Sequence, residues 1–176
     1  MGYDLNTGAA LPQLDFRYDA PYGASPLVVN PDAGYAYVSA SPSLLVLDLE
    51  KPETVTAVAM PAAGPLTLAR DLVFQAGMAP DASRPGPGKI FVYDRAGALA
   101  DSVDIRPAGE TWPPFVRQVA ADAAGERLYI HAGSGEGGWY YDFQRARMLV
   151  VDLDRRTLVG QIPLGVWPDG SMHVLF

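Results

Sequence analysis

The stretch Arg147–Gly165, RMLVVDLDRRTLVGQIPLG, decides the fold. It runs as an apolar segment ending in Asp152, a polar turn, a second alternating segment and then Pro-Leu-Gly. Three other stretches repeat this pattern: Tyr3–Phe16 (YDLNTGAALPQLDF), Leu44–Pro61 (LLVLDLEKPETVTAVAMP) and Ile90–Pro107 (IFVYDRAGALADSVDIRP). The aspartates closing the first run of each copy, Asp4, Asp48, Asp94 and Asp152, recur at intervals of 44, 46 and 58 residues. Self-similarity at about 40–50 residues, with strand patterning inside each unit, is the signature of β-propeller blades. Because these aspartates recur with the repeat, they are expected to cap turns by accepting backbone N–H bonds rather than to act as paired carboxylates.

Working outward, three whole blades are expected at 27–61, 66–107 and 115–163, each of four antiparallel strands. Residues 1–16 supply a leading half with third- and fourth-strand character, around an Asn6-Thr7-Gly8 hairpin turn. Residues 166–176 supply a trailing half with first- and second-strand character, with Pro168-Asp169-Gly170 as its turn signal. The two halves are complementary. Either one chain of residues 1–176 closes a four-bladed ring, or it forms part of a larger ring, and the second is expected because blades of this spacing usually build larger rings. The fold class is therefore all-β, a single propeller domain or propeller segment, and no stretch sustains helical periodicity.

Bulk chemistry narrows the function. The 176 residues carry a net charge of −7, and their 13 Lys and Arg do not cluster, so neither a nucleic-acid groove nor a polybasic membrane patch is expected. With no cysteine, thiolate catalysis, disulfides and Cys-based metal sites are excluded. No apolar run is long enough for a membrane-spanning helix. Residues 1–10, MGYDLNTGAA, show no signal-peptide pattern and already have blade character, so the start is expected inside the fold.

Strand directions place the connections between strands one and two, and three and four, on one face of the ring. The remaining connections fall on the other. The first set is short: 31–34, 50–53, 95–99, 122–126 and 153–156. The second is long: Gly77–Gly88, Arg106–Pro114 and Gly133–Arg147. Long loops on a rigid scaffold are where binding concentrates. Here they carry Trp112 and Phe115, then Trp139, Tyr140, Tyr141 and Phe143, accompanied by Glu110, Glu136 and Arg145. Rigid aromatics mixed with Arg suit a partner or ligand surface, and these nine residues are the candidate site. The competing reading is that the rings pack the loops onto the blade tops.

Other motifs carry less. Gly133, Gly135 and Gly138 satisfy a G-x-G-x-x-G spacing, but the dinucleotide fingerprint needs a helix next and the chain runs on into another strand. His131 and His173 occupy similar places in two repeats, which favours a structural role over metal or base chemistry. The inner strands Leu27–Asn30, Leu66–Ala69 and Phe115–Ala120 offer Asn30 and Gln118 but no carboxylate, so a channel metal is disfavoured. No catalytic or metal-binding residue is assigned.

The phrase Gly125-Glu126-Arg127-Leu128-Tyr129-Ile130, followed by the V-x-D-x-x-T-x-x-V-x-x-I-P-x-G pattern of Val151–Gly165, resembles YVTN-type bacterial β-propellers. Within that group, Arg127–Gly165 looks like the heavy subunit of the methylamine and aromatic amine dehydrogenases. That resemblance implies a periplasmic, seven-bladed, non-catalytic subunit with no cofactor of its own. Such a subunit docks a small disulfide-rich partner bearing a tryptophan-derived quinone and serves electron transfer to a copper protein or cytochrome. Two alternatives stand beside it: a lactonase- or hydrolase-type propeller enzyme using its central channel, and a general protein-interaction propeller. Self-association through open propeller edges is also expected.

Overall fold

The computed structural model describes residues 27–40, 42–51, 54–77, 87–111, 113–134 and 142–164, with backbone alone for 134 and 142–145. The expected half blades at 1–16 and 166–176, with Asp4 and His173, lie outside the described residues. The regular elements described are all strands. Blade 1 comprises β1 (Leu27–Asn30), β2 (Tyr35–Ala40), β3 (Ser43–Asp48) and β4 (Val55–Ala59). Blade 2 comprises β5 (Leu66–Ala69), β6 (Leu72–Ala76), β7 (Lys89–Tyr93) and β8 (Leu99–Asp104). Blade 3 comprises β9 (Phe115–Ala121), β10 (Arg127–Ser134), β11 (Asp142–Asp152) and β12 (Thr157–Pro163).

Each blade is an antiparallel meander in sequence order. The first strands β1, β5 and β9 stand side by side, while the outer strands β8 and β12 touch. Period-two alternation explains the stacking, because each sheet turns apolar side chains to both faces and buries them against its neighbours. Between blades 2 and 3 the layer is chiefly aliphatic, with Ile90, Val92, Val103 and Ile105, beside Phe74, meeting Leu128, Ile130, Leu149 and Val151. Each such side chain, fully buried, contributes roughly 1.5–3 kcal/mol.

The layer between blades 1 and 2 is stitched by polar atoms as well. Tyr93 donates its hydroxyl to Gln75 Oε1 at 2.9 Å, and Gln75 Nε2 donates to Ser39 Oγ at 3.1 Å. Ser39 Oγ also accepts the Gly64 N–H at 3.3 Å, and Tyr37 donates to the Arg95 carbonyl at 2.9 Å. The turn between β7 and β8 tucks onto blade 1 at Gly97 (φ 85), where an added methyl would sit 2.6 Å from Val46. Only glycine meets both demands.

The three repeated aspartates among the described residues cap turns. Asp48 Oδ1 accepts the N–H of Glu50 and Lys51 at 2.9 and 3.1 Å, and Asp94 Oδ1 those of Ala96 and Ala98, both at 2.9 Å. Asp152 Oδ1 accepts the Arg155 N–H at 2.9 Å.

One expected loop is corrected. Gly133–Arg147 was the expected connection, yet β10 extends to Ser134 and β11 starts at Asp142, with Ser134 paired to Asp142. The hairpin continues because main-chain pairing satisfies backbone groups that a loop would leave to solvent. The connection shrinks to 135–141, and Phe143 and Arg145 lie on a strand.

Candidate binding face at the long-loop end

The three long connections share their roots at one end of blades 2 and 3. Gly77 closes β6 by donating to the Lys89 carbonyl at 2.9 Å, and Pro87 lies against it, 2.6 Å from where a Cβ would stand. Gly88 (φ 67) meets Pro113 at the same distance, so the connection within blade 2 leans on the one leading to blade 3. The Ile105 N–H donates to the Gly88 carbonyl at 2.9 Å, and Leu164 to Ala146 at 2.9 Å.

Arg147 links the root of the second connection to that of the third. It shares a face of β11 with Leu149 and Val151, paired to Ala132 as they are to Ile130 and Leu128. Its guanidinium therefore points into the layer between blades 2 and 3. There Nη1 and Nη2 engage the Glu110 carboxylate bidentately, the Nη2–Oε2 contact being 2.6 Å, and Nη1 also donates to Gln161 Oε1 at 3.0 Å. The Arg147 and Glu110 side chains are 14% and 25% exposed, so this pair is far less hydrated than a surface ion pair. Arg147 Nε is buried and has no partner among the described residues.

Of the nine candidate residues, the structure therefore joins Glu110 to the fold through Arg147. It places Phe115 at the head of β9, half-buried and opposite Gly133. Trp112, Glu136, Trp139, Tyr140 and Tyr141 lie outside the described residues, as do the side chains of Phe143 and Arg145. Sequence reading missed Arg147 and Gln161. The signal for Arg147 was available: a charge in phase with the apolar positions 149 and 151 needs a partner once buried.

The opposite end is built differently. A cleft of about 280 Å³ is lined by Asn30, Arg70, Asp71 and the Asp122–Gly125 turn. Its polar groups serve the turns. Asn30 Nδ2 donates to Asp71 Oδ1 at 3.1 Å while Asn30 Oδ1 accepts the Ala33 N–H at 3.1 Å. Asp122 Oδ1 accepts the Glu126 N–H at 2.7 Å. Arg70 and Asp71, both at positive φ (50 and 61), form a two-residue hairpin, and Arg70 is ion-paired to Asp154 on blade 3. That pair holds the Asp154 carboxyl below its ordinary range, chiefly through the hydrogen bond from Arg70. Arg156 bridges likewise to Asp101. Asp71 and Asp122 were missed as axis-side carboxylates because they sit on turns, not on inner strands. Among the described residues no group of three or more His, Asp or Glu is arranged to hold a metal.

His131 lies on β10 between Gln118 and Met148 of its flanking strands, and burial followed by the charge of Arg117 keeps its pKa below the usual value. After Gly133 the next described element is strand β11, not the helix a dinucleotide fingerprint requires.

No protein-family model and no curated protein matches the sequence. Solved structures do. KlHsv2 with loop 6CD replaced by a Gly-Ser linker is 15% identical over 96% of this chain and 50% of its own, with a TM-score of 0.62. Hydrazine synthase of Kuenenia stuttgartiensis is 14% identical over 92% of this chain and 44% of its own, with a TM-score of 0.60. A mitotic checkpoint complex chain is 15% identical over 77% of this chain and 36% of its own, at 0.53. The chain thus spans half or less of the structures it resembles. Likeness at this identity shows the fold, a β-propeller.

Proposed function

We propose that this chain is a non-catalytic β-propeller module that offers its long-loop end to a protein partner. The observation carrying the reading is the Arg147–Glu110–Gln161 clamp, which ties the second and third long connections to one rigid base. A half-buried bidentate pair fixes geometry more than it adds stability, and a fixed platform reduces the ordering cost of binding. The finer reading follows the sequence resemblance. The module acts as an amine-dehydrogenase-like heavy subunit in the periplasm, holds no cofactor, and docks a small subunit whose tryptophan-derived quinone does the chemistry. Assembly as part of a mitotic checkpoint complex is what one structural neighbour's name describes, and a partner-binding role for this chain is in keeping with it.

The test is a parallel capture of partner by wild type, by Trp112→Ala and Trp139→Ala at the long-loop end, and by Arg70→Gln at the short-turn end. Expected is partner loss of ten-fold or more in the first two variants, with an unchanged circular-dichroism melt, and full retention in the third. Loss confined to Arg70→Gln overturns the reading, and a collapsed melt in the tryptophan variants assigns those rings to packing.

A further inference from the structure

Among the described residues, β4, β8 and β12 form the outer edges of the three sheets, and two of these edges are blocked. On β8, Ile105 donates inward to the Gly88 carbonyl, so by alternation Ser102, Asp104 and Arg106 turn their backbone groups outward. The Ser102 N–H is taken by Asp101 Oδ1 at 2.7 Å and the Arg106 N–H by Asp104 Oδ1 at 2.8 Å. On β12 the outward-facing Pro163 has no N–H, and Val159 is the extra residue of a bulge. Carboxylates, proline and bulges are the devices that keep a sheet edge from pairing. β4 has none of them. Its register with β3 runs without a shift from the Ser43–Ala59 pair to the Leu47–Val55 pair. Thr54 and Met60 bond inward, to Asp48 and Pro42, so Val55, Ala57 and Ala59 point their N–H and C=O groups outward. These three residues and Thr56 are exposed, and the chain carries no charged residue from Thr54 to Ala69.

We infer that β4 pairs with β4 of a second copy, antiparallel about a two-fold axis at Ala57. In that register Val55 of each copy lies opposite Ala59 of the other, and Ala57 opposite Ala57. Every outward N–H and C=O group of the strand then finds a partner. The larger side chain of each outer pair meets the smaller, which suits close approach of the two strands. Charge selects this occupant. Copies of a chain with net charge −7 repel one another, and an uncharged edge lets two of them meet with no like charges opposed. The same patch serves both copies, so pairing consumes both edges and assembly stops at two. The contact uses the side of blade 1 and leaves the long-loop end to the partner proposed above.

Sedimentation velocity of the 176-residue chain over a hundredfold range of concentration tests this. A short edge makes a small interface, so the 18.8 kDa monomer and its dimer are expected in mass-action equilibrium. Ala57→Pro removes an outward N–H while sparing the ladder with β3, and Ala57→Lys opposes two like charges at the axis. Each should weaken dimerisation ten-fold or more with the circular-dichroism melt kept. The chain has no cysteine, so Ala57→Cys reports the register. Opposed residues of a hydrogen-bonded antiparallel pair lie about 5.5 Å apart at Cα, within disulfide reach. Oxidation to a covalent dimer is expected for Ala57→Cys and not for Leu99→Cys on the blocked β8 edge. A monomer at every concentration, a polydisperse aggregate, a dimer indifferent to both Ala57→Pro and Ala57→Lys, or equal cross-linking through Leu99→Cys each overturns the proposal. So does protection of the Ala57 amide that appears only when a different protein is added, which would assign the edge to a foreign strand.

Discussion

The two ends of the same strands are held by different physics. At the short-turn end, aspartates accept turn N–H groups, and exposed pairs such as Arg70–Asp154 and Arg156–Asp101 bridge neighbouring blades. Most links there are local or hydrated, although the bonds from Tyr37 to the Arg95 carbonyl and from Asn30 to Asp71 are long-range and part-buried. At the long-loop end one half-buried guanidinium, Arg147, gathers segments distant in sequence around a single carboxylate. The difference teaches where tolerance lies. Many small redundant links make the first end robust and chemically spent, while one concentrated link makes the second end fragile and able to present long loops in a fixed arrangement.

The largest expected effect comes from alkali, which attacks the layer behind the short-turn end. Burial pushes both Tyr37 and Tyr93 up to about 12. Their folded forms hold a proton that the unfolded chain releases near 10, so this stability is complete below pH 10 and lost as pH rises toward 12. The slope is roughly 1.4 kcal/mol per pH unit for each ring. Urea melts between pH 9 and 12 should show it, and Tyr37→Phe, which also frees the Arg95 carbonyl, should halve the slope. A flat profile would mean that neither ring is buried.

Next in size is Arg147→Ala. Removing one partner of a half-buried pair leaves Glu110 unmatched and should cost about 2–3 kcal/mol in denaturant melts. Amide exchange should accelerate at 105–115 while 31–34 and 122–126 stay unchanged. Arg147→Lys should recover less than half, because an ammonium cannot make the bidentate contact. Equal loosening of both ends would erase the distinction drawn above.

The smallest effect is expected from Arg70→Gln. The Asp154 carboxyl is held low by Arg70, so whatever stability it lends is present above the ordinary carboxylate range and lost as pH falls through the lowered pKa. The pair is exposed, and the variant should melt nearly as wild type does at pH 7, the small difference vanishing in acid. A large loss at neutral pH would mean that the short-turn end also depends on a single contact.

Much of this was legible before any coordinates. The inner strands β1 and β5 were set to the residue, because a proline precedes each and a turn stops the pairing at its end. The spacing of Asp48, Asp94 and Asp152 revealed their capping role, since a local side-chain-to-backbone bond depends only on neighbours. What stayed hidden was non-local. The extension of β11 back to Asp142 depends on pairing with Ser134, and Glu110 finds Arg147 only after two blades stack. Arg70-Asp71 turns without glycine, which turn chemistry alone does not flag, and the hydrogen bond from Asn30 to Asp71 helps hold it.

The most direct test of the account is amide hydrogen exchange on the chain alone and bound to the partner it captures. The account predicts new protection across 106–115 and 134–147, with 31–34, 70–71 and 122–126 exchanging as in the free chain. Protection appearing at those short turns, with the long connections unaffected, would contradict it.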